Sequence, residues 1–199
     1  MTEFAFVLPV LLVMGLYGAE IARMAMTRTQ ISQIALSVAD NASRLGQTDN
    51  SGVTPTITET DVDAILDGAI RQGNTIDLEE NGRIILSSLE YDGFSERQYI
   101  HWQRCRGDAE IDSEYGDDGA NSGLTGDVLT GMGSGSSKAT ASPGTAVMFV
   151  EIEYTYSALF ENPFGSGDQT LRSEAAFLIR DDRNLTPGLT GGSSNSECD

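Results

Sequence analysis

From Phe4 to Ala19 the chain carries no charged residue, and the apolar positions show no favoured face. Wound as a helix at ~1.5 Å per residue, this run reaches about 24 Å, a thin or shared membrane span. After Glu20 the pattern changes. Ile31, Ile34, Ala35, Val38, Ala42 and Leu45 recur at the spacing of one helical face, with Leu36 off that stripe. No proline or glycine interrupts the stretch from Glu20 to Gly46. The pattern predicts one continuous helix from about Phe4 to Leu45, stopped by Gly46, apolar all round in its first half and amphipathic in its second. Glu20 and Arg23 stand three apart and can pair on its surface.

The stretch QTDNSGVTPT reads as a turn-rich linker. TETDVDAILDGAIRQG reads as a short helix, with Val62, Ile65, Leu66, Ala69 and Ile70 on one face and a capping box expected at Thr60 and Asp63. Four strand-like runs follow, Arg83 to Asp92, Arg97 to Cys105, Ala146 to Phe160 and Gln169 to Asp181. In the third, Val150, Ile152, Tyr154 and Tyr156 alternate with Glu151, Glu153 and Thr155. DGFSE makes a hairpin-type link between the first two. A glycine-rich acidic stretch, 107–144, separates the second and third, long enough for a functional or mobile loop.

The expected fold class is therefore α+β: a long N-terminal membrane-embedded helix, then a small domain with one short helix and an antiparallel sheet. The expected organisation is a hydrophobic segment over 1–22, an amphipathic continuation over 23–46, an extracytoplasmic α+β domain over 47–183, and a flexible tail over 184–199.

The net charge of −18 disfavours nucleic acid and anionic membrane surfaces as partners of the body. Cys105 and Cys198 are far apart and in no metal-ligand spacing. If the body lies outside the cytoplasm they are expected to pair and tether the tail; in a reducing compartment they would be two free thiols. A cleaved signal peptide fits poorly. The given sequence has no basic n-region, Tyr17 and Glu20 occupy the −3 places before Ala19 and Ala22, and the helical pattern runs through the would-be cleavage point.

Candidate chemistry is sparse. TGMGSGSSK lacks the Gly-Lys-[Ser/Thr] of a phosphate loop and reads as a flexible loop. GDDGANSG offers oxygen ligands without EF-hand spacing, so an acidic turn is favoured over calcium. His101 is the single histidine and alternates with Trp102 on a strand, a structural position. No catalytic constellation emerges, and no cofactor or metal is expected.

The opening TEFAFVLPVLLVMGLYGAEIAR, followed by an amphipathic helix, resembles the N-terminus of TadE-like and TadG-like minor pilins of the tight-adherence (Flp) branch of type IV pilus systems. EFAFVLP is its specific core. WQRC, VMFVEIEYTY and FLIRDDR are more loosely similar to the extracytoplasmic domain of such proteins. The resemblance implies a pilin-like fold and a role in assembly. It makes Glu3 a register residue, a carboxylate buried among helices and paired with a neighbouring subunit's α-amino group. Pro9 would permit a kink or local melting in a filament core. Gly15, Gly18, Ala19 and Ala22 would let helices approach closely. Family precursors carry a basic leader ending in glycine, usually leaving the glutamate fifth; here Glu3 is third. Prepilin peptidase is an expected partner if a leader exists upstream.

The function expected on these grounds is that of a minor pilin or pseudopilin in assembly, initiation or tip function of a Tad/Flp-type pilus. Its partners would be other pilin subunits, the assembly machinery and the bacterial inner membrane, with the body outside the cytoplasm. The rivals are a single-span anchored binding or sensor domain and, less favoured, a secreted enzyme.

Overall fold

The structure, a computed structural model, describes residues 2–46, 54–118, 122–125, 127–159, 168–180, 182–192 and 196–198; the side chains of Thr2, Glu3 and Ala5 lie outside that description. One helix, α1, runs from Thr2 to Arg44, with Pro9 inside it. It is roughly 64 Å long at 1.5 Å per residue. Its amphipathic half buries Ile31, Ile34, Ala35, Val38, Ala39 and Ala42, while Leu36 stays exposed. Gly46, at φ +73°, takes the left-handed conformation that ends a helix without Cβ strain.

A two-residue strand β1 (Ile57–Thr58) leads into α2 (Glu59–Gln72). The capping box expected at Thr60 and Asp63 sits two residues earlier. Thr58 Oγ1 accepts from the Asp61 backbone N–H, and Asp61 Oδ2 accepts from the Thr58 N–H at 3.1 Å. The strand ends at Thr58 and the helix starts at Glu59, which is buried and pairs with Arg104, while Val62, Leu66, Ala69 and Ile70 make the buried face. After a 3₁₀ turn and the short α3 (Leu78–Asn81), four strands form the sheet. They are β2 (Gly82–Asp92), β3 (Arg97–Arg106), β4 (Ala146–Ser157) and β5 (Asp168–Leu178), ordered β3-β2-β4-β5 and antiparallel throughout.

Alternation divides the sheet into two buried faces. Ile84, Leu86, Met148, Val150, Ile152 and Leu171 face α1 and α2 in the main core. Leu89, Ile100, Val147 and Phe149 face the other way, where Met132 and Ala141 of the glycine-rich segment close over them. That segment folds back on itself by a bridge between Met132 and Ala139, and touches β3 by one between Gln98 and Leu129. It thus supplies the second layer over a sheet that would otherwise expose an apolar face.

The C-terminal segment crosses the far end of the molecule. β6 (Leu189–Thr190) pairs parallel with β1. The Arg180 N–H donates to the Ser43 carbonyl at 3.2 Å and the Asn184 N–H to the Pro55 carbonyl at 2.9 Å. Cys105 is bonded to Cys198.

Candidate membrane and assembly segment

The apolar half of α1 is exposed. Phe4 and Phe6 are 80% exposed, and Val7 through Leu16 are exposed on all faces of the helix. Among the described residues α1 is the one helix long and apolar enough to cross a membrane. Leaving this surface in water would be unfavourable at roughly 25 cal/mol per Å² of apolar area, so it suits a cover of lipid or of other apolar helices.

The positions singled out from sequence all fall on this rod. Glu3 stands in its first turn; its side chain lies outside the described ones. Pro9 is inside the helix, where its ring removes one backbone donor. Gly15 and Gly18 have nothing within 4 Å of where a Cβ would stand, and Ala19 and Ala22 are exposed. Together they leave an accessible, low-profile flank.

The rod joins the domain at a polar clasp. Glu20, instead of pairing with Arg23 along the helix, receives the Tyr156 hydroxyl at 2.6 Å and the Leu159 backbone N–H at 3.3 Å. Arg23 donates to the Ser157 carbonyl at 3.3 Å and lies over the Tyr156 ring, 5.2 Å from its centroid. Burial, then the hydrogen bond to Glu20, raises the Tyr156 pKa. The uncharged run therefore ends where β4 ends. Tyr156 was not singled out as functional from sequence, although its alternation with Ile152 and Tyr154 places it on the helix-facing side.

Residues 1–40 match the family model described as TadE-like protein. The TadE-like segment so defined comprises the exposed apolar rod, the clasp residues Glu20 and Arg23, and the first buried turns of the amphipathic half. No curated protein and no solved structure matches the chain.

The remaining candidates have structural surroundings. His101 Nδ1 lies 3.0 Å from Glu90 Oε1, a pair that is ionic when the imidazole is protonated. Of the acidic turn 116–123, residues 119–121 lie outside the described residues; Asp118 accepts from the Gln103 N–H and pairs with Arg104. In the glycine-rich loop, Lys138 donates to Thr130 at 3.0 Å. Among the described residues no group of His, Cys, Asp and Glu is arranged to hold a metal ion.

Proposed function

We propose that this chain is a minor pilin or pseudopilin of a tight-adherence pilus, held in the bacterial inner membrane with its domain outside the cytoplasm, and acting by assembly rather than catalysis. One observation carries the reading: a TadE-like segment forms an uncovered apolar helix that runs unbroken into the core of an α+β domain. A helix of this kind can stand in a bilayer and later exchange lipid for neighbouring subunits, because both environments satisfy the same surface. The Cys105–Cys198 bond accords with an oxidising compartment. Glu3 would set the register of entry by pairing with a neighbouring α-amino group, positive below a pKa of about 8.

The test is pilus yield, or co-purification with other pilus components, at equal expression. Glu3→Ala should leave membrane insertion and domain folding intact and impair incorporation. Glu3→Gln keeps shape and hydrogen bonding, so an equal defect there assigns the role to charge. Wild-type assembly by both variants would favour a plain single-span anchor carrying a binding or sensor domain.

A further inference from the structure

Two carboxylates help fasten the glycine-rich layer to the sheet. Glu151 of β4 and Glu174 of β5 stand directly opposite each other in the antiparallel register. Glu151 follows Val147 and Phe149 on the same face by alternation and is 2% exposed; Glu174 is half-buried. Like charges opposed in this way are unfavourable on a sheet. Arg172 offsets part of the repulsion: its Nη2 lies 2.7 Å from Glu151 and 2.9 Å from Glu174, while its Nη1 faces Glu114 and Glu153. Two further cations are near. Arg83 of β2 stands opposite Glu153 and donates to the Ala109 carbonyl, and Arg28 of α1 borders the groove that Arg172 and Glu174 also line.

The remaining acceptor capacity of the pair is taken up by the layer. Glu151 accepts from the Ser113 hydroxyl at 2.6 Å and from the Glu114 N–H at 3.3 Å. Glu174 accepts from the Tyr115 hydroxyl and from the Ser134 N–H, both at 2.8 Å. The Tyr115 ring then meets Phe149 edge-on, with centroids 5.3 Å apart. The carboxylate bonds thus stand beside the apolar face that Met132 and Ala141 cover.

We propose that the Glu151–Glu174 pair is a proton-set latch, which closes the glycine-rich layer most tightly over the second apolar face in moderate acid and loosens it both at neutral pH and in stronger acid. With the layer lifted, both carboxylates meet water and titrate near the ordinary glutamate value of about 4.3. With the layer closed they part. Burial raises the Glu151 pKa, over the opposing Ser113 bond and Arg172 charge. Burial acts on Glu174 too, but the bonds from Ser134 and Tyr115 and the charge of Arg172 outweigh it and lower its pKa. The contribution of Glu151 to closure is therefore fully present below about 4.3 and is lost as pH rises through its raised value. That of Glu174 is present above about 4.3 and is lost as pH falls through its lowered value. The two limbs meet in a maximum. Tyr115, pushed up to about 12 by burial and then by its bond to Glu174, stays a hydroxyl donor throughout.

The test is amide exchange of the full-length chain in nonionic detergent, from about pH 3 to about pH 7, corrected for the intrinsic pH dependence of exchange. Met132 and Ala139 exchange backbone hydrogen bonds within the layer, and Ser134 donates to Glu174, so their amides report closure. Their protection, relative to central amides of β2 and β4, should peak near pH 4.3 and fall at least about twofold on each side. Glu151→Gln keeps the shape and should abolish the fall above the peak; Glu174→Gln should abolish the fall below it. A flat wild-type profile, an upper fall that survives Glu151→Gln, a lower fall that survives Glu174→Gln, or a profile that the central strands follow in full would each overturn the proposal. Should either variant fail to fold, carboxyl titration of the wild-type chain by NMR decides: Glu151 at or below the ordinary value, or Glu174 at or above it, overturns the latch. None of these outcomes depends on pilus assembly.

Discussion

His101 is the extra residue of an irregularity in the β2–β3 ladder, where Trp102 pairs with Ser88 and Ile100 with Leu89. That bulge turns its ring toward Glu90, a carboxylate 5% exposed that also accepts from Ser88 at 3.0 Å. Hydrogen bonding to Glu90, helped by its charge, raises the His101 pKa against the opposing effect of burial. The same carboxylate helps push the Tyr99 hydroxyl up to about 12, after burial itself. Because the histidine's folded pKa is raised, its stabilising charge is fully present below the unfolded value of about 6.5 and is lost as pH rises through the folded value. Thermal unfolding should therefore show a Tm that falls across that window, and His101→Gln should flatten the fall. With a single histidine, the ring titration can be read by NMR without assignment. An unshifted or lowered ring pKa would remove the basis of the effect. Sequence alternation placed His101 on a strand and gave it a structural role, but a bulge leaves no mark in a period-2 pattern, so its partner was hidden. The misplaced capping box has a similar cause. Thr58 and Thr60 each precede an aspartate by three residues, and what distinguishes the first lies in remote contacts: Ile57 and Thr58 pair with β6, and Glu59 pairs with Arg104 of β3.

Elements were far more legible, because each carries a long repeat with one buried side. The stripe from Ile31 to Ala42 and the inward alternation of β4 are the same residues that pack together in the core. What sequence does not show is how remote elements are fastened. Two fasteners stand out. At the near end, Tyr156 ties β4 to Glu20 of α1. Tyr156→Phe keeps the buried ring and loses one hydrogen bond to a charged, partly solvated group, an expected cost of about 1.5 kcal/mol. Faster amide exchange around Glu20–Met24 should accompany it, and unchanged exchange there would show that the clasp does not hold the helix. At the far end, Arg183 is 7% exposed and donates to the Ala42 carbonyl at 3.2 Å, while Cys198 holds the tail to β3 across a sequence separation of 93. Burial lowers the Arg183 pKa to about 10, still charged at neutral pH. Joint replacement of Cys105 and Cys198 by serine frees the tail. The chain-entropy model sets the loss at up to about 4.6 kcal/mol for a loop of this length. Urea unfolding of the double variant checks the figure, and a change under about 1 kcal/mol would mean that β6 and Arg183 hold the tail unaided.

On the scale of the molecule, α1 belongs to two environments at once. From Phe6 to Ala19 it is exposed along its length; from Ile31 onward its inner face forms part of the core. The clasp at Glu20 and Arg23 lies between. This division predicts that the rod contributes to location and the rest to stability. A chain beginning at Glu20 keeps the clasp, the buried stripe and every core residue, and loses the large exposed apolar surface. It should be monomeric in water without detergent, helped by its strong negative charge, and should melt within a few degrees of the full-length protein in micelles. A chain beginning at Met24 loses Glu20 and Arg23 as well, leaving the Tyr156 hydroxyl without its carboxylate. It should also be soluble but less stable, by about 1–3 kcal/mol for the hydrogen bonds removed. Size-exclusion chromatography and thermal circular dichroism distinguish the three chains. If the chain from Glu20 aggregates or unfolds, the rod supports the domain in a way its exposed side chains do not account for. If the full-length protein stays monomeric without detergent, its apolar surface is covered within the molecule, and both the membrane and the filament readings lose their physical basis.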